Sequence, residues 1–190
     1  CVCVCVCAGG DRFVVSISGP SSCEAKLRDL DNGKYTVSWS ALIKGTYWIQ
    51  ITLNGEEISG SPYFCEIFPA DVDVSTSRAE GMGLLAVKTY RNSSFLIHSH
   101  DKFGNHLDRG GDPWEVEITG TERPEREVID NQDGTYTVTY QTQMKGQLQI
   151  FVGIRGRDLP DCPFDVISDV KVRRREALAK LGEKKAAKAA

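Results

Sequence analysis

The chain has 190 residues, of which 41% are hydrophobic and 26% charged, and its formal net charge is −3. This length allows one or two domains with folded cores, which excludes a disordered chain, and no apolar run approaches the ~18 residues of a membrane span. Residues 171–190 hold eight Lys or Arg against two Glu, so the remainder is acidic, which argues against a nucleic-acid-binding domain.

Cys and Val alternate from Cys1 to Cys7. A TG dinucleotide repeat read in frame encodes this alternation, so we interpret residues 1–8 as a low-complexity segment derived from simple-sequence DNA. A metal-binding tract is the functional alternative, but Cys-x-Cys spacing with no His or second cluster nearby is a poor zinc signature. The alternation would also allow the segment to form a strand.

Residues 9–67 recur as residues 110–168 at a constant offset of 101, without a gap. The matches include Gly9-Gly10-Asp11 with Gly110-Gly111-Asp112, Tyr35-Thr36-Val37 with Tyr136-Thr137-Val138, and Lys44-Gly45 with Lys145-Gly146. A period near 100 residues is the size of a whole small domain, whereas solenoid repeats run about 20–50 residues. The sequence therefore predicts a tandem array of one domain type, and such arrays usually bind or space other molecules.

Alternation of apolar and polar residues predicts five strands in each copy. In chain order they are 13–19, 24–28, 35–39, 47–53 and 62–67, with counterparts at 114–120, 125–129, 136–140, 148–154 and 163–167. Trp114, Val116 and Ile118 should face inward, and the offset assigns Phe13, Val15 and Ile17 the same direction. Short strands separated by turns such as Asn32-Gly33 and Asp133-Gly134 predict an antiparallel β-sandwich.

The two copies differ at their starts. The second has two further candidate strands, Leu84 to Tyr90 and Ser94 to Ser99, whereas only eight residues precede the first copy. We therefore expect residues 9–69 to form a partial domain lacking its first two strands, followed by a linker at 70–76 and a complete domain at 77–168. Residues 169–190 are rich in helix formers and predict a short basic helical tail, which we interpret as a solvated spacer or a fraying tail and not as a nucleic-acid or membrane anchor.

Three motifs resemble the immunoglobulin-like repeats of filamin, the actin-crosslinking protein. They are Asp130-Asn131-Gln132-Asp133-Gly134-Thr135-Tyr136-Thr137-Val138-Thr139-Tyr140, Gly60-Ser61-Pro62-Tyr63, and Ser77-Arg78-Ala79-Glu80-Gly81-Met82-Gly83-Leu84. The resemblance covers about Gly9 to Ile167 and implies an all-β chain of tandem immunoglobulin-like sandwiches. No calponin-homology actin-binding region is present, so direct filament binding is not implied.

The resemblance implies a non-catalytic scaffold without cofactors, whose protein partners add an extended peptide alongside the third strand, over the groove between the third and fourth strands. The candidate groove residues are Val14, Ser16, Ala25 and Leu27 in the first copy, and Glu115, Glu117, Arg126 and Val128 in the second. An apolar peptide on the second set would desolvate up to three charges. We therefore expect the first copy to be the docking face and the second to be a spacer or a selector for charged partners, while both grooves could also be ordinary solvent-facing edges.

The resemblance leaves three settings open. The first is a cytoplasmic scaffold that links actin-associated or signalling proteins to the cytoskeleton, and the lack of matched cysteine pairs favours such a reducing compartment. The second is an extracellular adhesion module, for which the sequon at Asn92 is a faint signal. The third is the substrate-recruiting part of a tripartite-motif ubiquitin ligase.

Two further patterns suggest chemistry but lack its context. Gly81-x-Gly83-x-x-Ala86 fits a loose dinucleotide fingerprint, yet no strand precedes it and no helix is predicted after it, so we interpret it as linker. His98 and His100, with Asp101 and His106, could be metal ligands, but no further ligand is fixed by the sequence, so we predict no metal site. No Ser, His and Asp residues lie in a nucleophile-elbow context, so we predict no catalysis.

Overall fold

The computed structural model describes residues 2–5 and 11–169, which contain β-strands and a single 3-10 turn. The chain divides into two compact units, Cys1–Pro69 and Ala70–Ala190. The all-β class predicted from the sequence is confirmed. The predicted helical tail, from residue 170 onward, lies outside the described residues.

The first unit contains two sheets. One has the strand order β1-β4-β3; in the other, β5 pairs with β2 on one side and with β6 and β7 on the other. The strands are β1 (Val2–Cys5), β2 (Phe13–Ser18), β3 (Lys26–Asp29), β4 (Lys34–Ser38), β5 (Gly45–Leu53), β6 (Glu56–Glu57) and β7 (Tyr63–Ile67).

The second unit is a sandwich of two sheets with the orders β12-β13-β10-β8 and β11-β14-β16-β9, and β15 adds to β14. The strands are β8 (Arg78–Glu80), β9 (Ala86–Val87), β10 (Asn92–His98), β11 (Glu115–Gly120), β12 (Arg126–Asp130), β13 (Thr135–Gln141), β14 (Gly146–Ile154), β15 (Arg157–Asp158) and β16 (Phe164–Ser168). All pairs are antiparallel except β9 with β16.

Strand β1, formed by the Cys/Val segment, takes the place in the first unit that β10 has in the second. Val4 lies opposite Tyr35, and Ile97 lies opposite the equivalent Tyr136. The first unit was expected to lack two strands. Its sheet instead contains a strand at the second of those positions, while β8 and β9 have no counterpart among its described residues.

The start of the second unit differs from the sequence prediction. The candidate strand Leu84 to Tyr90 is instead a 3-10 turn at Met82–Leu84, followed by the two-residue strand β9 and a turn in which Tyr90 has a φ of 58°. The predicted linker packs onto the second unit, since the N–H of Ala70 donates to the Asp101 carboxylate at 2.9 Å. These differences arise because contacts with distant strands, and not local alternation, determine this segment.

The two cores differ in completeness. Sixteen buried side chains from both sheets form the core of the second unit, whereas four buried side chains form the described cluster of the first. Val116 and Ile118 are each 3% exposed, but the equivalent Val15 and Ile17 are only half-buried. The inward direction predicted for these residues is confirmed, and the first unit buries them less because, among the described residues, fewer strands lie opposite its sheet.

Candidate functional site

Strands β2 and β11 lie at equivalent sheet ends, and each pairs with one neighbour among the described residues. A tyrosine hydroxyl fixes the start of each strand by accepting a main-chain hydrogen bond. The N–H of Asp112 donates to Tyr136 Oη at 2.7 Å, and the N–H of Asp11 donates to Tyr35 Oη at 3.0 Å. Burial raises the pKa of Tyr136 to about 12, so this hydroxyl stays protonated at neutral pH.

The main-chain groups of Val116 point to the open edge of the second unit. Val116 lies opposite Val152, whose C=O accepts from Leu159 N–H and whose N–H donates to Cys162 Sγ. The main-chain N–H and C=O of Val152 therefore point away from β11, so Val116 and Val152 form a non-hydrogen-bonded pair and the main-chain groups of Val116 point outward. Because the two kinds of pair alternate along an antiparallel ladder, Ile118 points the same way.

The first unit has the same arrangement at the edge of β2. Val15 lies opposite Ile51, whose C=O accepts from Ile58 N–H and whose N–H donates to Ser61 Oγ at 3.0 Å. The main-chain groups of Val15 and, by alternation, Ile17 therefore point to the open edge. Both units present equivalent main-chain donors and acceptors to an added strand.

A groove of about 750 Å³ runs along β11 in the second unit, between the outer face of β14 and the connection from β11 to β12. Its lining residues are Glu115, Val116, Glu117, Ile118, Arg123, Pro124, Arg126, Phe151, Gly153, Gly156 and Asp158.

The groove of the second unit carries charges of both signs. Glu115 and Glu117 line it together with Arg123 and Arg126. All four are exposed, and none forms an ion pair within the described part of the chain. A partner with an uncharged, apolar surface would desolvate these groups without compensation, whereas complementary charges would pair with them.

The corresponding face of the first unit is uncharged along β2. Val14 is 62% exposed and Ser16 is also exposed. On β3, which follows β2 in the chain and belongs to the other sheet, Leu27 is 40% exposed, while Ala25 is half-buried and lies just before that strand. An apolar strand would therefore meet little polar desolvation here.

The structure brings three predicted groove residues together, because Glu115, Glu117 and Arg126 line one groove, whereas Val128 lies on β12 outside that lining. Sequence reasoning missed the wall from β14 and β15, including Phe151 and Asp158. Period-2 alternation with buried Ile150 and Val152 could have placed Phe151 on the outer face. Nothing local in the sequence indicates that this face lies beside β11.

The three histidines of the chain lie together at one end of the second unit, with ring centroids 6.0 Å apart for His98 and His106 and 5.3 Å apart for His100 and His106. The described residues contain no group of three His, Cys, Asp or Glu arranged to hold a metal ion. His100 is buried, its Nδ1 donates to the His98 carbonyl at 3.1 Å, and its Nε2 lies 3.1 Å from Arg78 Nη1. With Nδ1 as donor, neutral Nε2 accepts from Arg78, and protonation would remove this acceptor.

We expect acid to destabilise the second unit through His100. Burial, with Arg78 and His106 adding to it, lowers the pKa of His100 below its ordinary 6.5. Since the unfolded chain then binds the proton first, the free energy of unfolding should fall as the pH decreases below about 6.5, by at most about 1.4 kcal/mol per pH unit for one proton. Urea unfolding between pH 7 and 5 measures this slope, and His100→Gln should flatten it; an unchanged slope in the variant would contradict the assignment.

The glycines of the fingerprint-like motif have a packing role. A Cβ on Gly81 would lie 2.8 Å from Phe95 Cα, and one on Gly83 would lie 2.6 Å from the Ser94 carbonyl oxygen. Both glycines allow the 3-10 turn to pack against β10. They therefore belong to the folded second unit and not to a linker, which corrects the interpretation made from the sequence.

Asn92 is the first residue of β10 and is exposed, and its side-chain oxygen accepts from Gln141 Nε2 at 3.2 Å. Its surface position is compatible with the sequon, and glycosylation of Asn92 stays a prediction.

The fold and its open edges define a class of protein: tandem immunoglobulin-like sandwiches of the kind that mediate protein interactions. The chain belongs to the Filamin/ABP280 repeat family, whose family model matches residues 4–64 and 71–165. The family suggested by the sequence motifs is thereby confirmed.

Known proteins resemble the chain over much of its length. It is 29% identical over 163 residues to Filamin-C of Rattus norvegicus, covering 84% of this chain but 6% of that protein. It is 29% identical over 125 residues to the E3 ubiquitin-protein ligase TRIM45 of Mus musculus, covering 62% of this chain and 22% of that protein. The crystal structure of invasin, a bacterial integrin-binding protein, has a TM-score of 0.61 and 15% identity, covering 87% of this chain and 34% of that one, which shows a shared fold.

Proposed function

We propose that the chain is a non-catalytic scaffold segment that binds extended peptides of partner proteins by β-strand addition and links them to the actin cytoskeleton. The observation that carries this proposal is the pair of equivalent open edges, at which Val15 and Ile17, and Val116 and Ile118, direct main-chain groups outward. An added strand would satisfy these groups, while its alternate side chains would enter the groove and select the partner.

The two edges should prefer different partners. The first edge, which is uncharged along β2 at Val14 and Ser16, suits an apolar strand. The second groove, with Glu115, Glu117 and Arg126, suits a strand with complementary charges or serves as a spacer. This ranking rests on the cost of desolvating charges that gain no partner.

We propose the cytoplasm as the location, because the described cysteines Cys23, Cys65 and Cys162 are all free thiols, as is usual in a reducing compartment. An extracellular adhesion module is the second candidate, favoured by the exposed sequon residue Asn92. Recruitment of substrates within a tripartite-motif ubiquitin ligase is the third, favoured by the similarity to TRIM45.

Alternately N-methylated peptides test strand addition. Two apolar peptides with identical side chains would be N-methylated at odd or at even positions and titrated into the full chain, with backbone amide NMR shifts at Val15 and Ile17 as the readout. Because successive residues of a strand point their N–H groups to opposite sides, one peptide should bind and the other should lose binding by at least about tenfold. Equal binding of both peptides, or loss of both, would refute strand addition.

A further inference from the structure

Strand β3 is the end strand of its sheet, and its far side has no partner among the described residues. Its equivalent β12 is likewise the end strand of a sheet in the second unit, so this open edge belongs to both units. The N–H of Leu30, just after β3, donates to the Lys34 carbonyl at 3.0 Å, which makes these two residues a hydrogen-bonded pair. Because the two kinds of pair alternate along the ladder, the main-chain groups of Leu27 and Asp29 point to the open edge.

The side chains of β3 alternate between basic and apolar at this edge. Leu27 lies opposite the buried Val37 and therefore faces inward, although it is 40% exposed. Lys26 and Arg28 lie on the outer face, are exposed, and form no ion pair within the described part of the chain. Two like charges about 7 Å apart on one face attract a strand that carries carboxylates at the same spacing.

Strand β11 presents the complementary pattern at its own open edge. Val116 faces inward and directs its main-chain groups to the edge, as Leu27 does. On either side of Val116, Glu115 and Glu117 are exposed and have no ion-pair partner among the residues that the structure describes. The acidic-apolar-acidic order of β11 therefore matches the basic-apolar-basic order of β3.

The two edges fit together in one antiparallel register. With Leu27 opposite Val116 of a second copy, both residues turn their main-chain groups toward each other and form a hydrogen-bonded pair. The opposite charges then face each other on the outer face, in non-hydrogen-bonded pairs whose Cα atoms are about 4.5 Å apart. These pairs are Lys26 with Glu117 and Arg28 with Glu115. A shift by two residues keeps only one of the two ion pairs, and a shift by one residue turns the charges to opposite faces.

The equivalent edges of the two units do not offer this match. On β12 the offset of 101 places Glu127 and Ile129 on the outer face, so β12 against β11 of a second copy would oppose two carboxylates. On β2 the outer residues Val14 and Ser16 offer no carboxylate to β3. Pairing β3 with β3, or β11 with β11, would oppose like charges. Charge complementarity therefore selects the combination of β3 with β11.

From these observations we propose that β3 of one copy pairs with β11 of a second copy, so that the chain associates with itself head to tail. This inference rests on the proposed function, because it uses β11 as a strand acceptor, and it names the occupant as the Lys26-Leu27-Arg28 strand of another copy. Because the two edges differ, the contact is heterologous, and each chain keeps one edge of each kind for further copies. The paired segment is short, so we expect a Kd between about 10 μM and 1 mM.

Sedimentation equilibrium of the full chain measures this association. The average mass should rise with concentration up to about 1 mM and should fall at high salt, which screens the ion pairs. Backbone amide NMR shifts should appear at Leu27 and Val116 over the same concentration range. Lys26→Glu with Arg28→Glu should weaken the association at least about tenfold, because carboxylates would then oppose Glu115 and Glu117. A chain that stays monomeric at all these concentrations would overturn the proposal.

Two charge exchanges with the same net charge provide matched controls for the register. Lys26→Glu with Glu117→Lys in one chain swaps the members of one predicted pair, so it should restore association to within about threefold of the original chain. Lys26→Glu with Glu115→Lys opposes like charges at both pairs, so it should stay at least about tenfold weaker. All four positions are exposed, and Trp fluorescence during urea unfolding checks that each variant folds. Equal association of the two exchanges would overturn the pairing of β3 with β11.

Failure of this inference can be told apart from failure of the proposed function. Apolar peptide binding at Val15 by a chain that stays monomeric would leave strand addition intact and overturn only the self-association. A monomeric chain whose Leu27 amide shifts only with an added peptide of residues 113–120 would assign the β3 edge to an acidic segment of another protein, which also overturns self-association. Concentration-dependent shifts at Leu27 and Val116, lost in the variant Lys26→Glu with Arg28→Glu, would support the proposal whether or not the apolar peptide binds.

Discussion

Replacing Gly134 by Ala should destabilise the second unit by about 2–5 kcal/mol. Gly134 lies in the turn between β12 and β13 with a φ of 81°, and a Cβ there would lie 2.0 Å from the main-chain oxygen of Leu107. The left-handed conformation costs an L-residue about 1–2 kcal/mol, and overpacking against a fixed backbone adds about 1–3 kcal/mol. Leu107 is fully buried, and its N–H donates to the Ser99 carbonyl at 2.9 Å, so its backbone has little freedom to move.

Gly156→Ala is the matched control, because Gly156 has a φ of 75° but no heavy atom within 4 Å of its ideal Cβ. This variant should show only the conformational cost of about 1–2 kcal/mol. Urea unfolding followed by Trp114 fluorescence, in a background with Trp39→Phe and Trp48→Phe, isolates the second unit. Equal losses in the two variants would show that the contact with Leu107 contributes nothing.

The repeated sandwich could be predicted because its signals are local. Alternation identified the buried face of β11, including Val116 and Ile118, and the Asp-Gly turn at Gly134 marked the hairpin that follows β12. The offset of 101 then transferred both assignments to the first copy. Each of these inferences needs only neighbouring residues and a repeat.

The features that escaped prediction depend on residues distant in the chain. Strand β9 has two residues, and its partner Ile167 lies about 80 positions away, so no local pattern marks it. The groove wall at Phe151 and Asp158 meets β11 only through the pairing of β11 with β14. Strand β1 has a low-complexity sequence that does not indicate its partner. Its equivalence to β10 is recognised only when the pairing of β1 with β4 is compared with the pairing of β10 with β13.

Exchanging the groove side chains should reverse the partner preference of the two units. The exchange combines Val14→Glu and Ser16→Glu with Glu115→Val and Glu117→Ser. An apolar extended peptide should lose at least about tenfold affinity at β2, because its strand would now desolvate two carboxylates, and should gain a similar factor at β11. Amide shifts at Val15 and at Val116 report the two edges separately in one titration.

Ser38→Glu with Ser59→Glu is the charge-matched control for the first unit, because both residues are exposed and lie off β2 and β3. This control should leave the affinity at β2 within about twofold, since exposed charges away from the groove are screened by solvent. If the control weakens binding as much as Val14→Glu with Ser16→Glu, net charge and not groove chemistry sets the preference. If the exchange changes neither edge, affinity comes from main-chain pairing alone, and the two units are equivalent acceptors despite their different grooves.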